Sequence, residues 1–167
     1  MKITTGSKIY LPMAAMILAA LAVSAAAQNQ VPFKGTFQGN DTDCPPPVSC
    51  TPTAFVVKTD GTGIGTHLGQ FSFTQVITLN VTNGTDTGTA RLVAANGDSI
   101  DVAIAGSGQP TSTPGVFSIT ETWTVTGGTG RFAGALGSAA VERLASAVTF
   151  TTAGSFHGTI TSPGAAH

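Results

Sequence analysis

A chain of 167 residues has room for one domain with a real core, and its 7 Lys and Arg against 8 Asp and Glu supply no basic stripe for a nucleic acid to follow. Only 9% of the residues are charged while 21 are glycine. The surface must therefore be covered mainly by Thr, Ser, Asn and Gln, a composition that suits strands.

Lys2 and Lys8 precede an apolar run from Ile9 to Val23, followed by Ser24-Ala-Ala-Ala27 and the polar Gln28. This is the layout of a secretory signal, with cleavage expected after Ala27. The alternative, an uncleaved anchor, meets a run of about 15 residues where about 20 are needed to span hydrocarbon. The expected organisation is a signal peptide over 1–27 and one domain over 28–167, secreted or periplasmic, with no stable membrane insertion after cleavage. No lipobox cysteine follows the run.

Phe33 to Gly39 alternates Phe33, Gly35 and Phe37 with Lys34, Thr36 and Gln38, the period of a half-buried strand. It runs into Asn40 to Pro52, whose three successive prolines stiffen a loop. Cys44 and Cys50 are the only cysteines. An even count in an exported chain favours a disulfide between them, with a metal pair or two free thiols as alternatives. Thr53 to Lys58 reads as the second strand, ended by a turn at Thr59-Asp-Gly-Thr-Gly63.

Gln70 to Thr82 carries Phe71, Phe73, Ile77, Leu79 and Val81 on one face, interrupted by Gln75. After a turn at Asn83 to Asp86, the segments Gly88 to Ala95 and Asp98 to Gly106 flank Asn96-Gly97, a strong hairpin signal. Gln109 to Gly115 is a polar connection. Val116 to Thr126 then sets Phe117, Ile119, Glu121, Trp123 and Val125 on one face against serine and threonine, and Leu136 to Ala145 and Gly154 to Ser162 supply the last two strands. Eight short strands without a helical pattern predict an all-β, eight-stranded antiparallel barrel, because closure removes exposed edges. A two-sheet sandwich is the alternative. A barrel of this strand number is either filled by side chains or holds one small ligand.

Between the sixth and seventh strands lies Val125-Thr-Gly-Gly-Thr-Gly-Arg-Phe-Ala-Gly-Ala-Leu-Gly137, a glycine-rich corner with Phe132 placed to be pinned beneath it. Gly128-x-Gly130-x-x-Ala133 superficially matches a dinucleotide fingerprint, which requires a helix that Gly134 and Gly137 deny it. The run Ile119 to Gly137, followed by Ala139-Ala-Val-Glu-Arg-Leu144, resembles the allene oxide cyclase and dirigent barrel superfamily, and Thr66-His-Leu-Gly69 followed by Gln70-Phe-Ser-Phe73 is similar to a segment of its secreted bacterial members. The resemblance spans roughly Phe33 to Ser162. It implies an antiparallel barrel with a central cavity, chemistry without a cofactor if there is any, and association through barrel walls into a homo-oligomer. No catalytic residue of the family aligns to this chain.

Glu121 is the candidate catalytic residue, because alternation places its carboxyl among Phe117, Ile119, Trp123 and Val125. Desolvation on that face would raise its pKa toward the range of a useful acid or base. The favoured alternative is a satisfied polar residue paired with Arg91 or Gln75, or a bulge that turns it outward. His67 stands alone in a turn-rich segment and His157 faces outward, so neither is assigned to a metal. No pattern supports a hydrolytic triad. Asn40, Asn80 and Asn83 open acceptor sequons that a threonine-rich chain generates by chance.

The leading expectation is a secreted barrel that binds a small apolar or amphiphilic ligand in its lumen without catalysis, with Phe71, Phe73, Gln75, Phe117, Ile119 and Trp123 as contacts. The alternatives are a cyclase-like or dirigent-like enzyme using Glu121 and a structural or adhesive envelope module. No metal and no cofactor is called for.

Overall fold

Eight antiparallel strands pair in chain order and the last returns to the first: β1 (Gln30–Asp43), β2 (Ala54–Gly65), β3 (Gly69–Asn80), β4 (Thr85–Ala94), β5 (Ser99–Pro110), β6 (Val116–Gly128), β7 (Gly137–Ser146) and β8 (Thr151–Thr161) form a closed barrel. The structure, a computed structural model, describes residues 29–47 and 50–161, so the expected signal peptide over 1–27 lies outside the described residues. Closure rests on the β1–β8 ladder, from Gln30 opposite Thr161 to Asn40 opposite Thr151. With every strand flanked by two neighbours, no backbone edge is left for another chain to pair with.

The strands are longer than their sequence pattern announces. β2 does not turn at Thr59–Gly63 but runs on to Gly65, and the reversal comes at 66–68. The reason is packing. Gly61 and Gly63 sit on the inner face beside the rings of Phe73 and Phe71; a Cβ on Gly61 would stand 2.5 Å from the Phe73 ring, and one on Gly63 would overlap Phe71. Gly35 makes the same allowance for Phe156, whose ring atom would lie 2.7 Å from a Cβ there. These glycines make space for aromatic rings on neighbouring strands, a pairing that helps hold register in curved sheets.

β1 likewise continues past Gly39 to Asp43, and β4 begins at Thr85, inside the stretch expected to turn. The Asn96-Gly97 hairpin forms as expected, with Gly97 at φ +89° and the Ala94 amide donating to the Asp98 carbonyl.

Inward-facing residues stack in three storeys along the barrel. The lowest is aromatic: Trp123 lies against Phe37 and Phe156 with ring centroids 5.5 and 5.6 Å apart, and Phe156 meets Phe33 at 4.7 Å. Burial of rings this size dominates the core energetics. Below them the glycine-rich corner closes the end. Thr129 exchanges backbone and hydroxyl contacts with Ser99, a single 3-10 turn spans Gly130–Phe132, and the Phe132 ring is fully shielded. Gly130 takes φ +57° and Gly134 φ +72°, the left-handed geometry that lets the chain fold the ring inward. No helix grows from this segment, so the dinucleotide pattern has no helix N-terminus to offer a phosphate.

Candidate ligand site at the barrel mouth

The middle storey is a belt of polar side chains on seven of the eight strands. Asp41 of β1 accepts a hydrogen bond from the Thr59 hydroxyl of β2 at 2.6 Å. Gln75 of β3, Asp86 of β4, Glu121 of β6, Arg143 of β7 and Thr152 of β8 complete it, all buried. β5 contributes Gly106, which lies between Asp86 and Glu121 in the strand register. A Cβ on Gly106 would come within 2.6 Å of the Glu121 side chain. Only glycine at that position leaves the carboxyl of Glu121 its place.

Glu121 does face the lumen, as the alternation of β6 predicts, and its side chain is completely shielded. Its partner is neither Arg91 nor Gln75. Arg143 donates to Glu121 Oε1 through Nε at 3.0 Å and Nη2 at 2.7 Å, while Trp123 Nε1 donates to Oε2 at 3.2 Å. Arg143 Nη1 donates in turn to Thr152 Oγ1 at 3.2 Å, and the Thr152 hydroxyl donates to the Leu144 carbonyl at 3.1 Å. Arg91 lies on the outer face, held by Asp101 at 2.6 Å. A buried charge survives only with this kind of pairing, so the belt ties β6, β7 and β8 together across the lumen.

Above the belt the barrel opens. Strand ends together with the β3–β4 and β7–β8 connections surround a cavity of about 530 Å3, a size that suits a small molecule. Its walls are Val57, Ile77, Leu79, Phe117, Ile119 and Phe150, and its polar groups include Asp41, Asp43 and Asp86. Two of the six expected ligand contacts, Phe117 and Ile119, stand in this wall. Phe71, Phe73 and Trp123 belong instead to the aromatic storey, packed ring on ring, and Gln75 lies in the belt. The lumen is thus filled below by aromatic rings from four strands, and the cavity lies at its mouth.

Asp86 was missed by sequence reasoning, which ended its turn at that residue. It lines the cavity, is only 3% exposed, and its Oδ1 accepts no hydrogen bond from any described residue. Burial, reinforced by the Glu121 carboxylate and offset in part by Arg143, pushes its carboxyl up to about 6. Asp43 on the rim is also raised, by burial first and by Asp41 second. The signal for Asp86 was its parity: it alternates with Gly88, Ala90, Leu92 and Ala94, the inner face of β4.

Cys44 and Cys50 form a disulfide across the β1–β2 connection, with Cα atoms 5.5 Å apart. The Cys44 amide donates to the Val56 carbonyl at 2.7 Å, which anchors one side of the rim. His67 is exposed in the β2–β3 turn at φ +64°, and His157 is exposed on the outer face of β8. Among the described residues no helix is long and apolar enough to cross a membrane. Comparison with protein-family models, with curated proteins and with solved structures returns no match, so the functional reading stands on the geometry of the mouth.

Proposed function

We propose that this chain is an exported barrel that binds a small apolar or amphiphilic molecule in its mouth without transforming it. The observation that carries the reading is the cavity itself: about 530 Å3 of space walled by aliphatic and aromatic side chains, with a few polar groups among them. Sites for small molecules combine those two elements, an apolar wall for affinity and a few placed polar groups for orientation. The Cys44–Cys50 bridge and the signal-like N-terminal sequence support an oxidising compartment outside the cytoplasm. The glycine-rich corner supports kinship with the allene oxide cyclase and dirigent barrels.

An enzyme of the cyclase or isomerase kind draws on the same cavity but needs a free acid or base. Glu121 accepts two hydrogen bonds from Arg143 and one from Trp123, which fits a strut between strands better than a proton carrier. The version of the enzyme built on Glu121 is therefore the weaker reading, and Asp86, the unpartnered acid of the cavity, serves the binding reading as a ligand contact. The test of binding is the uptake of an environment-sensitive apolar fluorophore by the intact protein, compared with a Leu79→Trp variant that fills the cavity. Saturable binding that the variant weakens by about tenfold or more is expected; equal binding by both proteins, or none by either, overturns the reading.

A further inference from the structure

The polar groups of the mouth are one-sided. Asp41, Asp43 and Asp86 line the cavity, and no Lys or Arg among the described residues does. The nearest base, Arg143, is turned into the belt, where Glu121 and Thr152 take its donors. Asp86 lines this space, and its buried Oδ1 accepts no bond from any described residue. A buried acceptor without a donor is costly, and the cost is relieved by whichever ligand brings one.

Hydroxyl and amide donors on the cavity wall do not reach that oxygen. Neither Asn83 nor Ser146, both on that wall, donates to it. An anionic head group entering the mouth would meet three carboxylates and no counter-charge. A metal ion is also a poor fit, since no three His, Cys, Asp or Glu among the described residues gather closely enough to hold one.

From this arrangement we infer that the mouth is selective for organic cations: an amphiphilic amine whose hydrocarbon body lies against Ile77, Leu79 and Ile119 and whose protonated nitrogen donates to Asp86. Asp41 in the belt and Asp43 on the rim add long-range attraction for the same charge. The inference rests on the reading of the mouth as a ligand site, and it adds the chemical class of what is bound.

Octylamine, octanol and octanoate share one hydrocarbon body and differ in the head. Their binding to the intact protein, by calorimetry at about pH 7.5 where the amine is protonated and the acid ionised, separates the two ideas. Octylamine is expected to bind about 10- to 100-fold more tightly than octanol, the range of a charge-assisted hydrogen bond, with octanoate weakest. Octylamine no tighter than octanol overturns cation selectivity while leaving the binding site in place; failure of all three overturns the site and the selectivity with it. In Asp86→Asn, with folding checked by its melting curve, the amine's advantage is expected to collapse. An advantage that persists in this variant overturns the assignment to Asp86.

Discussion

At the closed end of the barrel Phe132 is wholly shielded, whereas at the mouth Phe117, on the inner face of β6, stands 38% exposed. Both ends are finished by connections between the same kinds of strand, so the difference lies in the connections. The corner after β6 has glycines at positive φ that fold a ring back over the lumen, and the Thr161 hydroxyl and Leu136 carbonyl latch that corner to β8. The connections at the mouth hold proline and threonine and carry the disulfide. Apolar surface is covered at one end and left exposed at the other, which is how a barrel of this size keeps a stable core and an open cavity together.

The contrast is broken most directly at the plug. Phe132→Ala should cost about 3–5 kcal/mol of unfolding free energy, while Phe117→Ala at the rim should cost under about 1 kcal/mol. Urea titration of both variants checks this, and equal costs would mean the two ends contribute alike.

The belt that divides the two regions comes next. Arg143→Met strands the shielded Glu121 carboxylate and should destabilise by about 3 kcal/mol, and adding Glu121→Gln should recover much of that loss. If the double variant is as unstable as the sum of its parts, Glu121 and Arg143 do not act as a pair.

At the rim, Cys44→Ser with Cys50→Ser opens a short loop, and the chain-entropy account gives a loss of about 2 kcal/mol. The accompanying expectation is local: amide exchange should quicken at 54–57 and remain slow at 130–135. Uniform acceleration would count against a rim that is stapled independently of the closed end.

The smallest effect is the pH dependence of Asp86. Its folded carboxyl titrates at about 6 against about 4 when unfolded, so the folded chain holds the extra proton between those values. The associated stability is present below about pH 4 and lost as pH rises through about 6. The charged groups that bear on it are Glu121 and Arg143 from the belt, with Asp41 and Asp43 across the mouth. Discounted for water reaching the cavity, the loss is about 1–2 kcal/mol. Wild type and Asp86→Asn should therefore diverge by that amount between about pH 4 and pH 7, the variant being favoured at the upper end; parallel curves would place Asp86 in ordinary solvent.

Alternation along single strands was enough to set Phe33, Phe37, Phe71, Phe73, Ile119, Glu121 and Trp123 on inner faces, and Asn96-Gly97 and the glycine-rich corner marked their reversals without help from the rest of the chain. These are short-range facts, fixed by the two-residue period of a strand and the sterics of φ. Which glycines turn and which make space was not of that kind: Gly61 and Gly63 read as a turn until the rings of Phe73 and Phe71 stood opposite them. Nor was the partner of Glu121, since Arg143 lies 22 positions on and meets it only through the β6–β7 register. The solitude of Asp86 is the same kind of quantity. Whether a buried oxygen finds a donor depends on every strand that faces it once the barrel has closed, and no stretch of sequence contains that ring of neighbours.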